Sequence, residues 1–147
     1  MNTNKPDAAA HLGASTDLSR PSRNLRQWWS VICALLVAAL FTQAVFAGLM
    51  LSGVDWGRAA HMANAGVLIA STLIAGLVSL ATLRRIPHGA KLGLTLLSLA
   101  AVIFLQTAIG KLSAHGANLM WVHIPLGVAL VGFAMQAMAS ARRLGAD

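Results

Sequence analysis

The segment that decides the fold is Phe104-Leu-Gln-Thr-Ala-Ile-Gly110, which leads through a polar turn to Trp121-Val-His123-Ile-Pro-Leu-Gly127. It puts a glutamine and a glycine late in one apolar helix and a histidine early in the next. A second segment, Phe41-Thr-Gln43-Ala-Val-Phe-Ala-Gly48, leads in the same way to His61. The two glutamines lie 63 residues apart, and the glycines and the histidines each lie 62 apart. This near-constant offset indicates an internal repeat of two helical hairpins.

The composition is that of a membrane protein. Of the 147 residues, 57% are hydrophobic and 10% charged, and the mean hydropathy is +0.70, whereas soluble domains carry about 25% charged residues. The chain has no Glu, and Asp55 is the one Asp near the apolar segments, which excludes catalysis by paired carboxylates. The net charge of +7 does not indicate nucleic-acid binding, because the basic residues flank the apolar segments as membrane topology requires. The single cysteine, Cys33, excludes an intramolecular disulfide.

Four apolar segments are each long enough to span a bilayer as a helix. We predict an all-α, polytopic membrane protein with an up-down four-helix transmembrane bundle. The predicted transmembrane domain is residues 27–143, between a disordered cytoplasmic tail of residues 1–26 and a C-terminal tail of residues 144–147. A cleaved signal peptide is the alternative for the first segment, which is however longer than the usual apolar region of about 7–15 residues. The predicted helices cover about 29–51, 58–83, 92–110 and 119–141.

The basic residues predict the orientation of the bundle. Arg58 and Lys111 stand at one side of the bilayer, and the other basic residues stand at the opposite side. The positive-inside rule therefore predicts that both termini are cytoplasmic in a bacterial-type inner membrane. The two hairpins then share one orientation and should be related by a pseudo-two-fold axis along the membrane normal. The cytoplasmic set is Lys5, Arg20, Arg23, Arg26, Arg84, Arg85, Lys91, Arg142 and Arg143.

Two histidines are the candidate metal ligands. An ionisable group inside a membrane helix is a functional hypothesis by default, and His61 and His123 both lie just inside helices that begin at the outer face. In an up-down bundle the second and fourth helices are diagonal, so the two imidazoles should face each other across the axis. Facing histidines suit the axial positions of a haem iron. We therefore predict one haem b per bundle, with both histidines as ligands.

Small and polar residues near the histidines fit such a site. Gly48 and Gly110 are predicted to let a flat macrocycle approach the backbone, and Gln43, Gln106 and Asn64 to orient the imidazoles. The alternative is that these residues only pack helices together or form interhelical hydrogen bonds.

The two outer basic residues are candidates for binding the haem propionates. Arg58 precedes His61 by three residues and shares its helical face, and Lys111 ends the third helix. The alternative is that both side chains snorkel to lipid headgroups. His115, in the outer turn, is not part of the predicted ligand pair.

The segment Leu105-Gln-Thr-Ala-Ile-Gly110 with Trp121-Val-His123 resembles the haem-binding half-repeat of the haem A synthase family and of related small four-helix membrane proteins. The similarity spans about residues 38–140, which corresponds to one of the two four-helix halves of that family. The resemblance implies the bundle fold and haem ligation by His61 and His123. The family's catalytic half carries a glutamate shortly before its first histidine, where this chain has Asp55-Trp-Gly-Arg58-Ala-Ala-His61. The outer-loop cysteine pair of many members is also absent, so the resemblance does not extend to synthase activity.

Together these features predict a b-type haem-binding membrane protein that serves electron transfer or haem handling. Two histidine ligands leave no open iron position for oxygen chemistry, so we do not expect the chain to be an enzyme on its own. Two alternatives stay open: a cofactor-free structural or partner-binding membrane protein, and a divergent haem A synthase-like oxidase that works as a dimer. The expected partners are the lipid bilayer and either a second copy or another membrane redox protein.

The predicted orientation is tested by reporter fusions. A periplasm-active reporter fused after Asp147 should be inactive, because the positive-inside rule retains that end in the cytoplasm. The same reporter inserted in the turn at Gly116 should be active. Strong activity of the Asp147 fusion would contradict the predicted topology.

Overall fold

The computed structural model describes residues 23–146 and has four helices. No strand occurs among these residues, and all four helices are long and apolar enough to cross a membrane. The predicted fold class, an all-α multi-pass membrane protein with a four-helix bundle, is therefore confirmed. The helices are α1 (Arg23–Leu51), α2 (Gly57–Leu83), α3 (Gly89–Ala114) and α4 (Met120–Arg142).

The helices pack in chain order around one axis. Within the described chain α1 packs beside α2 and α4, and α3 packs beside the same two helices, whereas no Cα atoms of the pairs α1–α3 and α2–α4 come within 8 Å. The two helices that carry the predicted histidine ligands are therefore diagonal, as the repeat predicts. We call the end with the turns at residues 52–56 and 115–119 the histidine end, and the end with Arg23 and Arg142 the basic end.

Glycines end the first helix of each hairpin. Gly53 has φ 77° and Gly116 has φ 101°, which is the left-handed region that a residue without Cβ enters without strain. The two positions lie 63 residues apart, the same offset as the two glutamines. The repeat therefore extends into the turns.

Two of the predicted helices are too short. The helix α1 begins at Arg23 and not near residue 29, so residues 23–26 belong to the bundle and not to a tail. The helix α3 covers Gly89–Ala114 and extends beyond the predicted 92–110. The added residues include Arg, Gln and Lys, which favour helix although they are polar, so hydropathy underestimates the lengths of these helices. The rest of the predicted tail, residues 1–22, lies outside the described residues.

The predicted C-terminal tail packs onto the bundle. Leu144 is 1% exposed and joins the apolar cluster that contains Trp29, Leu83 and Leu92. The backbone N–H of Gly145 donates to the carbonyl of Pro87 at 3.1 Å. The domain boundary at residue 143 is therefore wrong, because a leucine beyond the last arginines still finds an apolar partner surface.

The apolar core fills the basic half of the bundle. On α1 the buried stripe repeats at spacings of three and four and consists of Trp29, Cys33, Leu36 and Leu40. The same spacing continues to Gln43, Ala47 and Met50, which are only partly buried. Packing thus loosens toward the histidine end, where the interior positions carry polar groups.

Exposed tryptophans stand at both ends of the bundle. Trp28 at the basic end is 67% exposed, and Trp56 and Trp121 at the histidine end are 56% and 72% exposed. Tryptophan favours the two interfaces of a bilayer. These side chains support the assignment of all four helices as membrane-spanning.

The α2–α3 contact is built from two reciprocal glycine–leucine pairs. A Cβ on Gly76 would lie 2.8 Å from Cδ2 of Leu97, and a Cβ on Gly93 would lie 2.7 Å from Cδ2 of Leu80. Each glycine admits a leucine from the facing helix, which brings the two backbones together. Small residues at such interfaces are a main source of helix association in membranes.

We expect Gly76→Ala to lower the free energy of unfolding in detergent by about 1–2 kcal/mol, because the added Cβ overpacks this interface. The matched control is Gly132→Ala, where a Cβ meets no atom within 4 Å. It should be neutral or stabilising by up to about 1 kcal/mol, the helix preference of Ala over Gly. Equal effects of the two substitutions would contradict the close α2–α3 contact.

Candidate functional site

Each hairpin is closed by the same two hydrogen bonds between a glutamine and a histidine. In the first hairpin Nδ1 of His61 lies 3.2 Å from the carbonyl oxygen of Gln43, and Nε2 of Gln43 donates to the carbonyl of His61 at 3.0 Å. In the second hairpin the corresponding distances between Gln106 and His123 are 3.1 and 2.6 Å. The repeated residues of the sequence therefore form a repeated hydrogen-bond motif.

This motif fixes which nitrogen of each imidazole carries the proton. A backbone carbonyl only accepts hydrogen bonds, so Nδ1 of His61 and Nδ1 of His123 are the donors. The lone pair of each neutral ring then lies on Nε2. Metal-binding histidines commonly donate their other ring N–H to a carbonyl in this way, which orients the ring and raises its basicity.

The two imidazoles share one region of the bundle. His61 and His123 are both partly buried, and each lies about one turn inside a helix that begins at the histidine end. They come from α2 and α4, the diagonal pair, whose Cα atoms stay more than 8 Å apart in the described chain. The site therefore lies on the diagonal between the two hairpins, near the histidine end.

The first hairpin has a third polar residue that the second lacks. Nδ2 of Asn64 donates to Oε1 of Gln43 at 2.7 Å and to the carbonyl of Ala39 at 3.0 Å. Asn64 follows His61 by three residues, and the residue three after His123 is Leu126. Correspondingly, Oε1 of Gln106 is buried and has no hydrogen-bond partner among residues 23–146.

The structure does not put Gly48 and Gly110 in equivalent positions. A Cβ on Gly110 would lie 2.8 Å from Cε1 of His123, so this glycine makes room for the imidazole ring itself. A Cβ on Gly48 would meet no atom within 4 Å. Gly110 follows Gln106 by four residues, and the residue four after Gln43 is Ala47. Gly48 is one residue further on, about 100° around the helix.

The predicted propionate ligands lie at the surface. Arg58 and Lys111 are both exposed at the histidine end. Arg58 lies in the first turn of α2 and Lys111 in the last turn of α3. His115 is also exposed, and its Nδ1 lies 2.7 Å from the carbonyl of Lys111 in the last turn of α3. His88 directly precedes α3 at the basic end, so neither of these histidines takes part in the glutamine–histidine motif.

Ser113 carries a second buried polar atom of α3 that the sequence prediction did not include. Oγ of Ser113 is buried without a hydrogen-bond partner among the described residues, like Oε1 of Gln106. Ser113 follows Gln106 by seven residues, which is two helical turns along one face. That spacing was visible in the sequence and would have marked both residues as facing the interior.

Protein ligands for a bare metal ion do not come together here. No group of three or more His, Cys, Asp or Glu side chains gathers within the described part of the chain. The two histidines with their Nε2 lone pairs are thus the donor set that the site offers.

No family model, no curated protein and no solved structure matches the chain. The chemistry of the site is therefore argued from its geometry.

We expect nitrogen NMR of labelled protein to show the proton of His61 and of His123 on Nδ1, because both face carbonyl oxygens. Gly110→Ala should shift the ring signals of His123, since the new Cβ displaces that ring, and should leave those of His61 unchanged. Gly48→Ala is the matched control and should shift neither. A proton on Nε2 of either ring would contradict the hydrogen-bond motif.

Proposed function

We propose that the chain is a b-type haem-binding integral membrane protein, with His61 and His123 as the axial ligands of one haem. The observation that carries this function is the pair of imidazoles, one from each hairpin, whose Nδ1 atoms are engaged by carbonyl oxygens. Both rings therefore offer a Nε2 lone pair in the same region of the bundle. Bundles commonly build cofactor sites from such facing side chains.

The number of ligands favours haem over a bare metal ion. A protein zinc site needs three or four side chains, whereas a haem iron takes its four equatorial nitrogens from the macrocycle and only its axial ligands from the protein. His61 and His123 are the two donors available, and this count suits a haem. The buried Oε1 of Gln106, which has no hydrogen-bond partner among the described residues, is a further polar atom that a ligand or an ordered water at this site would satisfy.

The chemistry that follows is electron transfer or haem handling. Haem would supply a one-electron redox centre, and no iron position would be open to oxygen while both histidines are bound. The chain's own part is to hold both imidazoles in one tautomer, through the carbonyls of Gln43 and Gln106, and to surround them with membrane helices. A second copy of the chain or another membrane redox protein is the proposed electron partner.

The exposed cations at the histidine end fit the same function. Arg58 and Lys111 are the basic residues nearest to the site along the chain, and their charges suit the two haem propionates. Described basic residues at the other end support cytoplasmic termini and a bacterial-type inner membrane by the positive-inside rule. The resemblance to one four-helix half of the haem A synthase family agrees with this orientation and with haem ligation by His61 and His123.

A cofactor-free structural protein is the second candidate. The observation in its favour is that every glutamine–histidine hydrogen bond joins two helices of the same hairpin. Such bonds stabilise membrane helices by about 0.6 kcal/mol on average without any cofactor. In that case each imidazole only joins the two helices of its own hairpin.

Three single substitutions separate the candidates. Purified protein supplied with haem should give a low-spin spectrum, and His61→Ala or His123→Ala should each abolish it, because one axial ligand is then lost. His115→Ala is the matched control and should keep the wild-type spectrum, since that side chain is exposed. The readout is the absorption spectrum of the oxidised and reduced protein.

Two outcomes would contradict the proposal. If the wild-type protein binds no haem, the cofactor is wrong and the structural role remains. If His115→Ala abolishes the spectrum while both other variants retain it, haem is bound by different residues.

A further inference from the structure

We infer that the two histidines are unequal ligands: His123 is the permanent ligand, and His61 exchanges between the iron and the side-chain amide of Gln43. This inference rests on the proposed haem site and adds a property to it. The two hairpins repeat each other, but the hydrogen bonds around their histidines differ, and this difference makes the two ligands unequal.

In the first hairpin the lone pair of the histidine already has a partner. Nε2 of Gln43 lies 3.2 Å from Nε2 of His61 and 3.0 Å from the carbonyl oxygen of His61. Because Nδ1 of His61 carries the ring proton, its Nε2 accepts from this amide. One nitrogen lone pair cannot bind a metal and accept this hydrogen bond together. The Gln43 amide and an iron therefore compete for His61.

Asn64 holds the competing amide in place. Its Nδ2 donates to Oε1 of Gln43 at 2.7 Å and is anchored on α1 by a second bond to the carbonyl of Ala39. Because Oε1 of Gln43 accepts this bond from Asn64, the NH2 group of the same amide is directed toward His61. Asn64 is thus a positioning residue, which acts on His61 through Gln43.

The second hairpin has no such competitor. Nε2 of Gln106 donates to the carbonyl of His123 at 2.6 Å, and none of the described residues donates to Nε2 of His123. Leu126 takes the place of the asparagine, so Oε1 of Gln106 has no donor to fix it. The ring of His123 also lies directly on Gly110, which holds it in one orientation. Its lone pair is available at all times.

An exchangeable ligand gives the bound iron one side that opens. When His61 returns to Gln43, a small neutral molecule can take its position, and His123 retains the haem. Carbon monoxide is the probe for this state, because it binds reduced haem iron only at a free axial position.

The test is the rate of carbon monoxide binding to the reduced, haem-loaded, full-length protein. Asn64→Leu copies the second hairpin and releases the Gln43 amide, so His61 should stay on the iron longer. We expect binding about threefold slower, which corresponds to one membrane hydrogen bond of about 0.6 kcal/mol. Ser71→Ala is the control, because it removes a polar group of α2 that bonds only within its own helix. It should leave the rate unchanged.

A reciprocal substitution protects the test against misfolding of the first variant. Leu126→Asn supplies the missing donor to Oε1 of Gln106 and gives His123 the competitor that His61 has. We expect carbon monoxide to bind about threefold faster and haem to dissociate faster. In addition, His61→Ala should retain a five-coordinate haem, and His123→Ala should lose haem.

The outcomes distinguish this inference from the proposed function. A low-spin wild-type spectrum with an unchanged or faster rate in Asn64→Leu, or an unchanged rate in Leu126→Asn, overturns the inequality and leaves the haem site standing. Equal haem loss in the two histidine variants does the same. If the wild-type protein takes up no haem, both the unequal ligands and the proposed haem site are contradicted.

Discussion

The fold and the site both depend on the reciprocal hydrogen bonds between Gln43 and His61 and between Gln106 and His123. No water is available inside a bilayer to satisfy polar side chains, so an intramembrane glutamine must find a partner on a neighbouring helix. Here the side-chain amide of each glutamine donates to the histidine's backbone carbonyl on the next helix. In return, the backbone carbonyl of the glutamine accepts a hydrogen bond from Nδ1 of that histidine. These bonds fix the register of each hairpin and hold each ring near the start of its own helix.

The bundle separates its stabilising contacts from its polar site. Close packing lies in the basic half and in the α2–α3 contact, where Gly76 and Gly93 admit leucines from the facing helix. The histidine end has partly buried interior positions and, within residues 23–146, two buried polar atoms without hydrogen-bond partners, on Gln106 and Ser113. An apolar core that holds four helices together at one end leaves the other end free to carry groups that would be costly in a packed interior.

The sequence predicted the features that depend on the spacing of residues along the chain. It did not predict those that depend on the direction in which a side chain or a hydrogen bond points. The offset between the two histidines predicted the hairpins and the diagonal helices, because polar residues are rare in membrane helices and their period is easily seen. It could not separate Gly48 from Gly110, since one residue of difference turns a side chain by about 100°. Nor could it show that Asn64 holds Gln43, because the direction of a hydrogen bond is set by the folded side chains. Hydropathy likewise missed the polar first turns of α1.

In the proposed site the two hairpins of one chain share one ligand. The most direct measurement is a titration of the purified protein with haem, in which the low-spin signal is followed against the protein concentration. Our account requires saturation at one haem per chain, because His61 and His123 both come from the same bundle. Saturation at one haem per two chains would mean that the ligands come from different copies, and the absence of any low-spin signal would mean that the imidazoles do not bind haem iron.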